Sequence, residues 1–354
     1  MPETATQHIR DTHGTDLLAP GGQMNPPSAA KTARRWGIVL AGGEGQRLLP
    51  MTRVVSGDDR PKQFCPLIES CTLVEQTRRR AERSVSPEQI VFALTRKHEA
   101  FYLRETGIRP SQRIVQPVNR GTAPPIVYSL LSIQRQDSEA IVAVLPSDHH
   151  YADEPAFVAA LESAFNDVAK HRGSVILLGS PARSAQTEYG WIELGQRAGG
   201  AANSSFDASF QVERFCEKPT PEAAHRLFGQ GALWNTFVMV GHVQDFLELV
   251  AGARTGLLKA FPHEHLWSRS ETHIQDLVYD RIYAVDFSRE ILSTQPHRLI
   301  ARRLEDIGWN DLGHPERVMD ALETTGLRPW WMKEWRMLKR PPASAGTMAE
   351  AAVA

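Results

Sequence analysis

Five short apolar runs constrain this chain more than any other feature. They are WGIVLA from Trp36, QIVFAL from Gln89, RIVQ from Arg113, AIVAVLP from Ala140 and SVILLG from Ser174. Each is rich in Val or Ile, nearly unbroken in its apolar character, and too short for an ordinary helix. Runs of that kind form strands covered on both faces. Polar, helical-looking stretches lie between them. One runs from Thr72 to Ser84 and opens with Thr72 and Glu75 at capping-box spacing. Strands alternating with helices predict an α/β fold, with a largely parallel sheet and helices on both of its faces. Two later runs, FQVERFCEKP from Phe210 and LWNTFVMVG from Leu233, have fewer helices between them. They read as mixed-sheet additions, not as a separate β domain, and no internal repeat is visible.

The chain has 354 residues, 42% of them hydrophobic, which is ample for one large domain. Residues 1–34, with APGGQMNPPSAA among them, and 338–354, ending AGTMAEAAVA, have the composition of flexible tails. The folded domain is expected over 35–337. A net charge of −1 excludes a general polyanion binder, so no nucleic-acid partner is expected and phosphates must be bound locally. Three cysteines, Cys65, Cys71 and Cys216, form no CxxC motif, which argues against a disulfide framework or a thiolate zinc site. HEHLW at His263 to Trp267 is not HExxH. No apolar run approaches the roughly 18 residues of a membrane span, and the N-terminus lacks the apolar core of a signal peptide. A cytoplasmic location is expected, and homo-oligomerisation is left open.

The first strand ends in VLAGGEGQRLLP, Val39 to Pro50. Glycines after a strand let backbone N–H groups approach a ligand with no Cβ between, and phosphate is the usual ligand of such a loop. The stretch is neither a dinucleotide fingerprint, since position 48 is Leu48, nor a P-loop, since no Gly-Lys-Ser/Thr follows. By themselves the glycines fit a tight strand-to-helix turn equally well. Arg47 and, after Pro61, Lys62 shift the balance. Two fixed cations beside the loop could neutralise a triphosphate and the charge building on a leaving pyrophosphate.

LAGGEGQRLLPMTR followed by RPKQFCPL resembles the signature of the sugar-phosphate nucleotidyltransferases, and PKQF in particular resembles the mannose-1-phosphate guanylyltransferase branch. Leu49 departs from the pattern, where tryptophan is common. The resemblance implies a Rossmann-like mixed, mostly parallel sheet of the nucleotide-diphospho-sugar transferase type. It assigns Arg47 and Lys62 to catalysis, and Leu40, Ala41, Gly42, Gly43 and Gly45 to the nucleotide. It covers roughly Trp36 to Val318, and nothing after Met337 is expected to build the isomerase or β-helix domain of longer relatives.

Other stretches are ambiguous alone and gain meaning from their order. QPVNRGTAPPI, Gln116 to Ile126, is a polar loop whose Gln116 could read a base edge with both a donor and an acceptor, while Gly121 could let a base lie flat on backbone. The resemblance assigns Gln116, Asn119, Gly121 and Thr122 to the purine nucleotide. Asp148 in VAVLPSDHHY and Asp311 in DIGWNDLGHPERV each follow an apolar strand. Singly they read as turn residues; the resemblance makes them a magnesium pair completed by phosphate oxygens. His149 and His150 read as a loop tip. TEYGWIEL, RFCEKP and LWNTF are ordinary strand ends, but their order matches the family's sugar-1-phosphate pocket. That assigns Tyr189, Gly190, Glu217, Lys218 and Asn235 to the sugar phosphate, with Asp286 of DFSREIL as a further candidate.

The implied reaction is GTP plus mannose 1-phosphate giving GDP-mannose and pyrophosphate, with Mg2+ as cofactor. Two alternatives stand beside it. One is the same chemistry on another sugar 1-phosphate or nucleotide, because such choices rest on a few loop contacts. The other is a regulatory relative that binds nucleotide sugars without turnover; the joint presence of Arg47, Lys62, Asp148 and Asp311 argues against it.

Overall fold

The computed structural model of the chain describes residues 34–169, 172–198, 209–261 and 272–339. Apart from Arg34, Leu338 and Lys339, the two expected tails lie outside the described residues, as does HEHLW.

All five early runs form strands of one nine-stranded sheet. They are β1 (Arg35–Leu40), β2 (Ile90–Thr95), β3 (Arg113–Gln116), β4 (Ile141–Pro146) and β6 (Val175–Pro181). A short β5 (His150–Tyr151) lies outside that sheet. The later strands are β7 (Gly190–Arg197), β8 (Ser209–Glu217), β9 (Leu233–His242), β10 (Leu299–Arg303) and β11 (Trp309–Asn310). The order is β3-β2-β1-β4-β9-β6-β10-β8-β7, with a further β9–β7 pairing. The pairings make only β8 and β9 run against the rest. The mixed, mostly parallel sheet is therefore observed.

The two later runs, β8 and β9, join this sheet as its antiparallel members, as expected of mixed-sheet additions, and β9 threads between β4 and β6. Nine of its ten residues are buried, so it needs a neighbour on each side.

Helices cover both faces. On one face α3 (Ala123–Gln136) and α6 (Val243–Gly252) pack over β1, β4 and β9 through Ile126, Leu130, Phe246 and Leu249. On the other, α2 (Leu73–Ala81), α4 (Glu154–Val168) and α5 (Pro221–Gly229) contribute Val74, Phe157, Leu161, Phe165 and Leu227. Thr72 does cap α2, its Oγ1 accepting from the Glu75 N–H at 3.3 Å. The reciprocal half of the box is absent, because the Glu75 carboxylate pairs with Arg78 and Arg79 instead.

A third cluster positions the site. α1 (Leu49–Ser56) follows the glycine loop and packs against α7 (Pro315–Thr325) and α8 (Met332–Leu338). Leu48, Met51 and Val55 meet Leu312, Val318, Trp331 and Trp335 there. This draws the C-terminal helices up to the loop that opens the chain. The three cysteines are unpaired.

Candidate active site

Four parallel strands end side by side at Leu40, Thr95, Gln116 and Pro146, and a cavity of about 450 Å³ opens beyond them. Open α/β sheets bind ligands at this edge. The cavity is lined by every residue expected in the site except Ala41 and Gly45. Glu188, Phe237, Ser288 and His149 also line it.

The three glycines of the loop serve three different needs. A Cβ on Gly42 would come within 2.6 Å of Gln116 Nε2 and 2.8 Å of Thr95 Oγ1, so Gly42 makes room for the base-side polar pair. Gly43 faces open space, leaving its backbone accessible. Gly45 has φ +59, the left-handed region glycine adopts without strain, and packs on the backbone of Lys62. Gln63, buried in PKQF, donates from Nε2 to the carbonyls of Ala41 (3.1 Å) and Gly43 (2.7 Å) and so fixes the loop from below.

Gln116 donates from Nε2 to Thr95 Oγ1 at 3.2 Å, and that hydroxyl donates to Gly42 O at 3.1 Å. Its Oε1 is buried and has no donor. Gly121 lines the cavity and also has a packing role. It has φ +85, and a Cβ there would strike the Val285 carbonyl at 2.4 Å. Its missing side chain admits the neighbouring Val285 segment. Asn119 Oδ1 accepts from Gly121 N–H, and Thr122 Oγ1 accepts from Phe287 N–H, so both side chains shape the loop.

Lys62 sits where the two halves of the cavity meet. Its ammonium donates to the carbonyls of Asp311 (2.6 Å) and Leu312 (3.1 Å) and lies 3.2 Å from Asp148 Oδ2. The two aspartates are thereby brought to one place. The Asp311 carboxylate accepts from Tyr189 Oη, from Gly313 N–H and from Arg317 Nη1 on both oxygens. Burial raises its pKa, but the charges of Lys62 and Arg317 outweigh burial and hold it below the ordinary value. Among the described residues no group of three or more His, Cys, Asp or Glu side chains gathers to hold an ion alone. Two carboxylates nevertheless fit magnesium, which takes few protein ligands and keeps waters and phosphate oxygens. Asp148 is the freer donor of the two.

The expectation of a loop tip at His149 and His150 is wrong. His150 is buried in β5, paired with Asn310 of β11, and its burial pushes the imidazole down to about 4. His149 lines the cavity, and its Nδ1 accepts from Trp309 Nε1.

The opposite wall comes from β7, β8 and β9. Tyr189 packs on Trp234 and Trp309, and the Arg317 guanidinium lies 4.5 Å from its ring centroid. Gly190 pairs with Glu217 across β7–β8, and a Cβ on it would meet Glu217 Oε2 at 2.7 Å. Burial and the Asp286 carboxylate push the Glu217 carboxyl up to about 7. Lys218 has φ +49 and an exposed ammonium. Asn235 accepts from Phe237 N–H, and Asp286 caps the Phe287–Ile291 turn through Arg289 N–H while facing the cavity.

Sequence reasoning missed a cluster at the glycine-loop end. Arg47 Nη1 donates to Glu188 Oε1 at 3.0 Å, and Arg317 Nη2 donates to Glu188 Oε2 at 2.8 Å. His314 Nε2 lies 2.8 Å from Glu188 Oε2 and 2.8 Å from Arg47 Nη1. Burial raises the Glu188 pKa, but His314 and the two arginines more than offset it, leaving it lowered. Glu188 directly precedes Tyr189, and His314 and Arg317 stand in GHPERV, but no periodicity signals that these segments meet.

Among the described residues no helix is long and apolar enough to cross a membrane. Residues 36–326 match the family described as nucleotidyl transferase. The xanthan biosynthesis protein XanB of Xanthomonas campestris is 28% identical over 299 residues, covering 82% of this chain and 60% of that protein. The mannose-1-phosphate guanylyltransferase of Escherichia coli K12 is 31% identical over 229 residues, covering 63% of this chain and 46% of that protein. The chain thus spans about half to three-fifths of the length of these relatives. A solved structure described as mannose-1-phosphate geranyltransferase from Thermus thermophilus superposes with a TM-score of 0.69 at 28% identity, covering 84% of this chain and 80% of that one. A UDP-glucose pyrophosphorylase complexed with UDP-glucose, 15% identical at a TM-score of 0.52, shares the fold.

Proposed function

This chain belongs to the nucleotidyl transferase family, and we propose that it transfers GMP from GTP to mannose 1-phosphate, giving GDP-mannose and pyrophosphate. The observation that carries the reading is Lys62. One buried ammonium ties Asp148 at the end of the nucleotide strands to the Asp311–Leu312 backbone beside Tyr189. A nucleotide on the glycine-loop side and a sugar phosphate on the Tyr189–Glu217 side would then meet at this junction.

A phosphate oxygen of mannose 1-phosphate attacks the α-phosphorus in line. A new P–O bond forms as the bond to pyrophosphate breaks. The nucleophile is already an anion, so no general base is required. Catalysis comes from alignment and charge neutralisation, with Lys62 and Arg47 acting on the triphosphate. Asp148 and Asp311 are the residues that would hold Mg2+, which when bound adds positive charge beside the phosphates.

A base at Gln116 is supported by its buried Oε1, which lacks a donor and could accept from a base N–H, and guanine by the named activity of relatives at about 30% identity. Mannose 1-phosphate is supported by PKQF and by the named activity of relatives at about 30% identity. Five nucleoside triphosphates tested against several sugar 1-phosphates, with pyrophosphate release as the readout, decide the matter. Preferred turnover of another pair would replace GTP and mannose while leaving the reaction type. No release from any pair would favour a binding-only relative.

A further inference from the structure

The Glu188 carboxylate sits in a cradle built for an anion. Its three nitrogen neighbours come from two distant segments: Arg47 behind the glycine loop, and His314 and Arg317 at the start of α7. Arg317 is itself fixed, since its other terminal nitrogen holds both oxygens of Asp311 at 2.9 and 3.0 Å. Tyr189 anchors the backbone beside Glu188 by packing on Trp234 and Trp309. His314 Nε2 can donate to Glu188 or accept from Arg47, but a single nitrogen with one proton site cannot do both.

Two guanidinium groups and an imidazole converging on one oxygen-bearing anion is an arrangement suited to phosphate. We propose that Glu188 stands in for a terminal phosphate: it holds Arg47, His314 and Arg317 in place in the free protein, and it is displaced when a polyphosphate enters. The proposal rests on the nucleotidyl transferase reading but not on the choice of base or sugar. Glu188 lines the cavity in contact with Arg47, the residue the proposed reaction sets against the triphosphate. A carboxylate is disfavoured against incoming phosphate oxygens, because like charges at contact repel and solvent around these partly exposed groups screens them only in part. The incoming group must carry more charge than Glu188 to take over its donors. Pyrophosphate and the β,γ end of a triphosphate do so. A nucleotide-diphospho-sugar has no phosphate beyond the two that join nucleoside to sugar, so it binds with Glu188 in place. The carboxylate thus discriminates substrate and leaving group from product.

The test is binding of magnesium pyrophosphate by titration calorimetry to the full chain and to Glu188→Gln, a near-isosteric change that removes the charge and turns one acceptor oxygen into an NH2 donor. The expected result is about tenfold tighter binding in the variant, the gain from removing a competing ion-pair partner. GDP-mannose affinity is expected to stay within about twofold. Glu188→Ala must move in the same direction if the amide disturbs the loop, with the melting temperature as folding control. Unchanged or weaker pyrophosphate binding in both variants would overturn the proposal, because Glu188 would then be a structural brace or a direct ligand contact. Absence of pyrophosphate binding to wild type and variants alike would overturn it too. If the variants bind pyrophosphate more tightly but no GDP-mannose forms from GTP and mannose 1-phosphate, the placeholder stands and the substrate assignment falls.

Discussion

The two walls of the cavity are built in different ways. The nucleotide wall is backbone: strand ends at Leu40, Gln116 and Pro146, and a loop shaped by Gly42, Gly43 and Gly45. Its side-chain contacts are few and mostly neutral, such as Gln63 to Ala41 O and Gln116 to Thr95. The facing wall is a network of ionisable side chains, Glu188, Glu217, Asp311, His314 and Arg317. A backbone wall keeps its shape whatever the pH or salt. A charged wall changes with both, and with each ligand that brings its own charge. Lys62 joins the two, so it should be the most sensitive position in the molecule.

Lys62→Ala is expected to produce the largest effect. Turnover should fall about 10²- to 10³-fold, the usual cost of removing a group aimed at developing charge. The melting temperature should fall as well, because two buried carbonyls and Asp148 lose their partner. Pyrophosphate release and thermal unfolding check both. Wild-type turnover would remove Lys62 from the chemistry and break the link between the walls. The same logic applies to magnesium. If Asp311→Asn keeps the wild-type magnesium dependence of turnover, Asp311 serves only to position Arg317 and Tyr189.

The difference between the walls also decides how much could be read from the chain alone. Strand ends and glycine turns follow local rules, so the glycine loop, the sheet and the strand-end position of Asp148 were legible. Asp311 and Asp148 could be paired only through the family resemblance, since 163 positions separate them. Glu188, His314 and Arg317 gave no local signal. Their meeting depends on α7 and α8 folding back onto α1 through Leu48, Met51, Val318 and Trp335. The packing of Gly121 on the Val285 carbonyl was not legible, because it is a contact with a segment far along the chain. The central place of β9 was not legible either, because an apolar run reports burial, not neighbours or direction.

Next in size is the pH dependence of the charged wall. Burial and Asp286 raise the Glu217 carboxyl from its ordinary 4.5 to about 7. A raised carboxyl pKa means the folded protein holds the proton more tightly than the unfolded chain. The favourable proton linkage is fully present below 4.5 and is lost as pH rises through about 7. Glu217→Gln removes the ionisation, so it should match the wild type in stability near pH 4 and exceed it near pH 8. The gain is at most about 3 kcal/mol, since each tenfold change in proton affinity is worth about 1.4 kcal/mol. Chemical denaturation at the two pH values measures it. An equal difference at both would show that Glu217 acts by packing, and the contrast between the walls would weaken.

The smallest effect should come from the backbone wall, at Gln63. Its amide is almost wholly buried, and both Nε2 protons go to loop carbonyls, one to Ala41 and one to Gly43. Gln63→Met keeps the length and removes both donors. Two carbonyls then lose their partner, but Gly43 faces open space and water can reach its side of the loop. The cost should therefore lie near the low end for a buried unmet acceptor, about 1–2 kcal/mol. It should fall on the nucleotide side alone, because no hydrogen bond links Gln63 to Tyr189, Glu217 or Lys218 among the described residues. KM for the triphosphate should rise about tenfold, as expected if the cost is paid when the loop closes on phosphate, with KM for the sugar phosphate within about twofold. This contrasts with Lys62→Ala, which should lower turnover whichever substrate is varied. If Gln63→Met raises both KM values equally, the glycine loop and the charged wall move as one body. The separation of a fixed backbone wall from a responsive charged one would then have to be given up.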